Sequence, residues 1–297
     1  MFISFVGKVV LAVGAAVVVT AGQAEELAAP PLVTRLVNFQ ALPDGPRISG
    51  VFRMPHAPTS GAGVVILHGS AGMDSRGSMH ALDLARVGIA TLEIDMWGAR
   101  GMAGGAQSRP ARVHDSLPDL WGALAWLAKQ PGIGPRQLGV LGFSWGGAMT
   151  MLAATRRYGH PATEGHHAAA AGVAFYPVCW GYNRVPGYDF GDLREAPLLI
   201  LAAGEDGYDD DANACPSLVA KLSEAERQRT TVKVFPDAKH GFNMLEPATR
   251  FSDAFAHRGK GGETESAPDA SAREASRRLV TRYFTENLSD PDSRPAK

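Results

Sequence analysis

The sequence predicts an α/β fold in which one doubly wound, mostly parallel sheet carries helices on both faces. Short apolar segments alternate with segments of helical periodicity along most of the 297 residues, with connections of suitable length for parallel crossovers. Several apolar segments contain no polar residue, and one example is 63–67 (Gly-Val-Val-Ile-Leu). Such runs are typical of strands buried on both faces of a parallel sheet. These two observations together predict the fold class.

Eight short apolar runs bounded by turn residues are predicted to be strands. The first two are expected to be edge or entry strands, with the turn Pro-Asp-Gly-Pro at 43–46 between them. The predicted strands are 32–39, 47–52, 63–67, 89–94, 137–141, 168–176, 198–202 and 231–235.

Helices are predicted between these strands and after the last one, at 77–86, 113–129, 145–156, 211–227 and 270–287. The segment 251–269 is rich in Gly, Ser, Glu and charge, so we expect a mobile loop before the final helix. No internal repeat or linker divides the chain. We therefore expect residues 25–297 to form a single domain.

The first residues have the features of a signal peptide. Lys8 precedes the apolar run 9–19, and small residues lead to Gly22-Gln23-Ala24 before the polar Glu25. A retained membrane anchor is the alternative, but the apolar run is short compared with the roughly 20 residues of a spanning helix. We expect residues 1–24 to be cleaved after Ala24, which predicts a periplasmic or secreted protein without stable membrane insertion.

Net charge and cysteine content indicate which kinds of partner and which cellular compartment to expect. The formal net charge is -1, so the balance does not indicate a nucleic-acid partner, which normally requires a basic surface. The chain contains two cysteines, Cys179 and Cys215. An even pair in an exported protein predicts a disulfide between them, and two free buried thiols are the alternative.

The segment Gly142-Phe143-Ser144-Trp145-Gly146 matches the G-x-S-x-G nucleophile elbow. It follows a predicted buried strand and precedes a predicted helix, as the elbow requires. Such a turn lifts the serine hydroxyl out of the sheet and places a helix N-terminus beneath it. Ser144 is therefore the candidate nucleophile. The alternative is a run of small residues that only allows a close helix crossing.

A serine nucleophile needs a base and an acid that orients the base. His240 follows the last predicted strand and is the candidate base, whereas His68 at the end of an earlier strand is expected to be structural. Asp206, just after the strand 198–202, is the candidate acid. Asp209 and Asp210 are the alternatives for that role, and they could instead cap the following helix.

The loop His68-Gly69-Ser70-Ala71-Gly72 is the candidate for the second half of an oxyanion hole. Small residues would allow its backbone to face a substrate carbonyl. We expect the N–H of Ser70 or Ala71 to act together with the N–H of Trp145, and the Ser70 hydroxyl could also contribute.

These segments together resemble the dienelactone hydrolase family of the α/β hydrolases. The resemblance covers about residues 45–285 and implies the α/β-hydrolase fold, with Ser144 as nucleophile, Asp206 as acid and His240 as base. The archetype of the family carries cysteine at the nucleophile position and cleaves a lactone. The segments that carry the resemblance are Leu67-His68-Gly69-Ser70-Ala71-Gly72, Asp95-Met96-Trp97-Gly98, Gly142-Phe143-Ser144-Trp145-Gly146-Gly147, Gly204-Glu205-Asp206 and Pro236-Asp237-Ala238-Lys239-His240-Gly241-Phe242.

The predicted reaction is hydrolysis of a small-molecule ester or lactone through an acyl-enzyme on Ser144, and these residues imply no metal or organic cofactor. Trp97, Arg100, Trp180 and Tyr182 are candidates for substrate contacts. Core packing is the alternative for the aromatic residues, and loop anchoring for Arg100. The alternative functions are acyl transfer to an acceptor other than water, peptide-bond cleavage and a non-catalytic exported binding protein.

Overall fold

A computed structural model describes residues 32–56, 60–159 and 169–289. It confirms the predicted fold class, with an eight-stranded sheet in the order β1-β2-β4-β3-β5-β6-β7-β8. β1 and β2 pair antiparallel, β2 is antiparallel to β4, and the remaining pairs are parallel. The predicted signal peptide, residues 1–24, lies outside the described residues. None of the helices within the described ranges is long and apolar enough to cross a membrane.

The strands agree with the predicted segments to within a few residues at each end. The central strands β3, β5, β6 and β7 are buried along their whole length, because helices cover both faces of the sheet. The strands of the main sheet are β1 (Leu32–Gln40), β2 (Arg47–Pro55), β3 (Gly63–Leu67), β4 (Ala90–Asp95), β5 (Leu138–Phe143), β6 (Ala171–Phe175), β7 (Leu198–Ala203) and β8 (Thr230–Phe235).

The helices divide between the two faces of the sheet and enclose two hydrophobic clusters. α1 and α7 pack on one face, where Leu84 and Phe284 join the cluster, and α2, α3 and α4 pack on the other, where Leu124, Met149 and Leu218 contribute. The helices are α1 (Ser75–Arg86), α2 (Leu117–Leu127), α3 (Trp145–Ala153), α4 (Ala214–Val219), α5 (Glu224–Gln228), α6 (Ala256–Gly259) and α7 (Ala270–Asn287).

Two predicted segments differ from the structure. The single helix expected at 211–227 is divided into α4 and α5, because Ser223 starts a new helix with a capping box in which Glu226 reaches back to the Ser223 N–H. The mobile loop expected at 251–269 contains regular structure. It includes β9 (Thr249–Asp253) and β10 (Gly262–Ser266), which pair antiparallel on either side of α6. We call residues Thr249–Ser266 the cap hairpin.

The parallel register determines where the functional loops meet. Residues after the carboxyl ends of β3, β5, β6, β7 and β8 lie at one edge of the sheet, where ligands bind in open α/β sheets. His68, Ser144, Asp206 and His240 follow four of these strands. The cap hairpin lies between β8 and α7 in the chain, and its residues Phe251, Ser252 and Phe255 contribute to cavities at this edge.

Candidate active site

Ser144 lies in a strained turn between β5 and α3. Its φ of +50° and ψ of −106° are unfavourable for a side-chain-bearing residue. Glycines allow the neighbouring backbones to approach. A Cβ atom on Gly146 would lie 2.3 Å from the Leu67 carbonyl oxygen, and one on Gly142 would lie 2.0 Å from the Gly146 carbonyl oxygen. The strand and the helix can therefore cross at Ser144 only with glycine at both positions.

Ser144, His240 and Asp206 form a continuous hydrogen-bonded chain. The Ser144 Oγ lies 2.9 Å from His240 Nε2, and His240 Nδ1 lies 2.8 Å from Asp206 Oδ2. Asp206 Oδ1 also accepts a bond of 2.9 Å from the Tyr208 N–H. A carboxylate can only accept from the imidazole, so Nδ1 carries the proton and Nε2 is free to accept from the serine hydroxyl. Asp206 and His240 are 2% and 4% exposed.

The other two aspartates considered as acids point elsewhere. Asp209 accepts bonds from the N–H groups of Cys179 and Trp180, at 3.1 and 2.7 Å. Burial and the nearby Asp206 raise the pKa of Asp209. Asp210 contacts the His257 ring at 3.0 Å in the cap hairpin. Of the three, Asp206 is the one that the structure places on His240.

The ring of His240 packs against two tyrosines that the sequence pattern did not indicate. The centroids of Tyr176 and Tyr208 each lie 4.7 Å from that of the imidazole. The Tyr176 hydroxyl donates to Asn243 Oδ1 at 2.6 Å, and the Tyr208 hydroxyl donates to Asp253 Oδ2 at 2.8 Å. Tyr208 lies two residues after Asp206, and this proximity to the candidate acid is the sequence feature that could have indicated it.

The loop after β3 is held by His68. Its Nε2 accepts from the Met96 N–H at 3.0 Å, which leaves the proton on Nδ1, and Nδ1 donates to the Gly69 carbonyl at 2.6 Å. Burial lowers the pKa of His68 to about 4, so the ring is neutral at physiological pH. His68 therefore has the structural role predicted for it.

The candidate oxyanion residues lie on the cleft side of this loop. A Cβ atom on Gly69 would lie 3.6 Å from Ser144 Cβ, and both Ser70 and Ala71 line the cavity next to Ser144. The Ser70 carbonyl accepts from Trp97 Nε1 at 2.8 Å. Because a trans peptide directs N–H and C=O in opposite directions, the Ala71 N–H points away from Trp97. The Trp145 N–H belongs to the first turn of α3, where N–H groups lack an intrahelical partner.

With this geometry in place, comparison with known proteins identifies the family. The model of the dienelactone hydrolase family matches residues 48–288. The chain belongs to the dienelactone hydrolase family. The predicted resemblance is thus confirmed, and membership in this family makes the protein a hydrolase.

Individual relatives are distant. An uncharacterized protein of Mycobacterium tuberculosis is 28% identical over 224 residues, which cover 70% of this chain and 75% of that protein. The structure of a dienelactone hydrolase from Anabaena variabilis is 19% identical, with a TM-score of 0.54 and coverage of 86% of this chain and 99% of that chain. Thermogutta terrifontis esterase 2, in a structure phosphorylated by paraoxon, is 15% identical with a TM-score of 0.61 and coverage of 87% and 96%. These two structures show that the fold is shared with dienelactone hydrolase-like proteins.

Ser144 lines two cavities in this family member. The smaller one has a volume of about 50 Å³ and includes Trp145 and Trp180 in its lining. The larger one has a volume of about 670 Å³ and includes His240 and the loop of Ser70 and Ala71. We call them the small pocket and the cleft. Tyr208 lines both of them.

Of the four predicted substrate contacts, the structure places Trp180 in the small pocket and the other three elsewhere. Among the described residues, Trp97, Arg100 and Tyr182 line neither cavity beside Ser144. Trp97 is buried behind the oxyanion loop, with its indole N–H on the Ser70 carbonyl. The Tyr182 hydroxyl donates to the Pro177 carbonyl at 3.3 Å, and its ring is buried.

Arg100 is occupied by an ion pair. Its guanidinium donates two bonds to the buried Asp119, at 2.7 and 2.9 Å, and a third to the Met96 carbonyl at 2.8 Å. These contacts anchor the turn after β4, which was the alternative given for this residue. These bonds support the anchoring alternative for Arg100.

A different arginine lies at the small pocket. Arg109 stacks between the rings of Trp145 and Phe255, at 5.4 and 5.6 Å, and donates to Asp253 Oδ1 at 2.8 Å. Asp253 thereby joins Arg109 to the Tyr208 hydroxyl. Arg109 lies in a glycine-rich and polar segment, and nothing in its sequence context distinguishes it from other surface arginines.

The predicted disulfide between Cys179 and Cys215 is present. It joins the turn after β6 to α4, and α4 follows the loop after β7. Trp180, beside the disulfide, forms part of the wall of the small pocket. The disulfide and the two bonds to Asp209 therefore fix this wall relative to the loop that carries Asp206.

Proposed function

We propose that the protein is a serine esterase that hydrolyses a small-molecule ester or lactone through an acyl-enzyme on Ser144. The observation that carries this proposal is the chain of hydrogen bonds from Ser144 Oγ through His240 to Asp206. In this chain the imidazole Nε2 faces the serine hydroxyl, and the carboxylate on Nδ1 fixes the tautomer. Carboxylic ester hydrolysis also agrees with a family of hydrolases and with esterases that share the fold.

In the first half of the reaction, Ser144 Oγ attacks the ester carbonyl while His240 Nε2 takes the hydroxyl proton. Asp206 stabilises the imidazolium that forms. The tetrahedral oxyanion accepts bonds from the Trp145 N–H and from the N–H of Ser70 or Ala71. The bond to the leaving oxygen then breaks, and His240 gives that oxygen its proton. The products of this half are the acyl-serine and an alcohol.

In the second half, a water molecule takes the position that the alcohol has left. His240 Nε2 removes one of its protons as its oxygen attacks the acyl carbonyl. Collapse of the second tetrahedral intermediate breaks the bond to Ser144 Oγ, which recovers its proton from His240. The acid is released and the site returns to its starting state.

The proposed setting is outside the cytoplasm. The signal-peptide features of residues 1–24 support export, and the disulfide agrees with an oxidising compartment such as the periplasm or the extracellular space. The proposed partner is the small-molecule substrate itself, with neither a nucleic acid nor a stable membrane contact after cleavage.

Covalent labelling tests the proposal directly. The wild-type protein should react with a fluorophosphonate probe and hydrolyse p-nitrophenyl acetate, because both need an activated serine. Ser144→Ala should abolish labelling and lower kcat about 10⁴-fold or more. Thermal unfolding of both proteins controls for loss of structure. Equal labelling of the two proteins, or no ester hydrolysis by the wild type, would contradict the proposal.

A further inference from the structure

We infer that the two cavities beside Ser144 divide the substrate, with a short acyl group in the small pocket and a larger alcohol in the cleft. This inference rests on the proposed esterase function and adds the substrate class to it. The protein would then act on esters of short-chain acids with bulky alcohols, and it would discriminate by the acid far more than by the alcohol.

The position of His240 decides which part of the substrate enters which cavity. An esterase base must give its proton to the departing alcohol, so the leaving oxygen must lie on the side of His240. Among the described residues, His240 lines the cleft and is not part of the small pocket, whereas Ser144 lines both. The alcohol therefore lies in the cleft. The acyl chain, on the other side of the carbonyl carbon, points into the small pocket beside Trp145.

The size of the small pocket limits the acyl chain. Its volume is about 50 Å³, against about 670 Å³ for the cleft. The small pocket therefore suits the smaller of the two substrate groups, and we expect it to hold a short acyl chain better than a long one. The lining is mainly apolar, with Val113, Ala148 and Val185 among its side chains, which suits an alkyl chain.

The walls of the small pocket have little freedom to expand. The segment from Val178 to Gly181 is cross-linked by the Cys179–Cys215 disulfide and by the two hydrogen bonds to the Asp209 carboxylate. The opposite wall belongs to α3, which is packed in the core. Phe255 lines the pocket from the cap hairpin and is held through the Arg109 guanidinium against Trp145. A longer acyl chain would have to displace one of these walls or extend out of the pocket, and either would weaken its binding.

The cleft has a different chemical character. It is wide and combines apolar contacts from Met244 and Phe251 with charged side chains at Asp74, Arg76 and Glu246. Arg76 is ion-paired with Asp74, so the carboxylate of Glu246 leaves the group with a net negative charge. An uncharged alcohol of mixed polarity therefore fits the cleft better than an anionic one.

Two series of esters test the division. The first keeps p-nitrophenol and lengthens the acid from acetate to butyrate and octanoate. The second keeps acetate and compares phenol with 2-naphthol, which differ in size but little in acidity. For the wild type we expect kcat/KM to fall at least about tenfold from butyrate to octanoate, and to change less than about threefold between the two aryl acetates.

Val185 supplies a matched pair of variants because its side chain lines the small pocket and is only partly buried. Val185→Ala should raise the octanoate-to-butyrate ratio of kcat/KM about three- to tenfold, and Val185→Phe should lower it by a similar factor. Phe251→Ala, in the cleft, should leave this ratio within about twofold and change the naphthyl-to-phenyl ratio instead. Each ratio is measured on one preparation, so incomplete folding cancels.

The outcomes separate the two proposals. If the wild type hydrolyses none of these esters, the esterase function itself fails. If it hydrolyses octanoate as well as butyrate, or if neither Val185 variant moves the acyl ratio, the division of the substrate is wrong while the esterase function stands. If the Val185 variants change the naphthyl-to-phenyl ratio and Phe251→Ala changes the acyl ratio, the substrate binds in the reverse orientation and the inference is overturned.

Discussion

The nucleophile turn and the cap hairpin meet at the same sheet edge but are held in place by different interactions. At Ser144, backbone atoms of β3, β5 and α3 approach so closely that Gly142 and Gly146 have no room for a side chain. The cap hairpin instead depends on side chains: Asp253 binds Arg109 and Tyr208, and His257 binds Asp210. The first region is fixed by the close approach of backbone atoms, and the second by polar contacts between side chains of distant segments.

This difference predicts which of the two regions tolerates amino-acid substitution. A single added methyl group creates a clash where backbones are in close contact, whereas removing one side chain from a polar network leaves its other hydrogen bonds in place. We therefore expect chemistry and folding to be most sensitive around Ser144, and substrate access and local stability to vary with the cap hairpin. The four predictions below test this contrast.

The largest effect is expected from Asp206, which belongs to the hydrogen-bonded chain. Asp206→Asn would offer an N–H to His240 Nδ1 and so favour the wrong tautomer, which should lower kcat about 10³- to 10⁴-fold with the fold intact. Asp209→Asn is the control, because Asp209 contacts backbone N–H groups and not the imidazole. Its kcat should fall less than about tenfold. Steady-state kinetics on p-nitrophenyl acetate would reject the assignment if the two variants lost equal activity.

The second effect concerns stability. Gly146→Ala places a methyl group 2.3 Å from the Leu67 carbonyl oxygen, so we expect destabilisation of about 3 kcal/mol or more. Gly261→Ala in the cap hairpin meets its first atom at 3.6 Å and carries only the strain of a φ of +76°, about 1 kcal/mol. Urea unfolding measures both. Similar losses would show that the turn at Ser144 is no more constrained than the hairpin.

A third prediction removes an anchor of the cap hairpin. Asp253→Ala deprives both Arg109 and Tyr208 of their acceptor, and we expect a loss of about 2 kcal/mol because a charged hydrogen bond is broken in a buried site. Arg250→Ala is the control. Its side chain is 75% exposed and its Nε lies 3.9 Å from the Glu265 carboxylate, so the change should cost less than about 0.5 kcal/mol. An unchanged urea midpoint for Asp253→Ala would show that Asp253 does not stabilise the cap hairpin.

The smallest effect is a pH dependence at His257. Its bond to the Glu263 carbonyl and its contact with Asp210 raise the pKa of His257. A raised pKa in the folded state stabilises the protein below the ordinary histidine value of about 6.5, and this stabilisation is lost as pH rises through the raised value. His257→Gln should therefore lower Tm slightly at pH 5.5 and have less effect at pH 8. A larger loss at pH 8 would contradict this sign.

The same contrast explains what the sequence could predict. The strands and the G-x-S-x-G turn are local patterns, so the sheet and the position of Ser144 could be read directly from neighbouring residues. The order of Ser144, Asp206 and His240 could also be read, because each follows a strand of the parallel sheet. Which aspartate reaches His240 stayed open, since the direction of a side chain in the loop after β7 leaves no periodic signal.

The features that were missed depend on partners far away in sequence. An arginine in the loop after a strand is a plausible substrate contact, and only the structure shows that Arg100 is paired with Asp119. The indole of Trp97 likewise binds the Ser70 carbonyl, which follows a different strand. The cap hairpin has a polar, glycine-rich sequence typical of a loop. Its anchors, such as the bond between Arg109 and Asp253, join residues 144 positions apart, and local composition does not report such contacts.

The packing of Tyr176 and Tyr208 against His240 has a consequence for the order of events in the proposed reaction. Together with the bond from Nδ1 to Asp206, these rings hold the imidazole so that Nε2 faces Ser144 in both halves of the cycle. The departing alcohol and the incoming water must then exchange protons with the same nitrogen at the same place. Water can be activated only after the alcohol has left that place, so the acyl-enzyme on Ser144 must outlast the departure of the alcohol, and the kinetics should be of the double-displacement type.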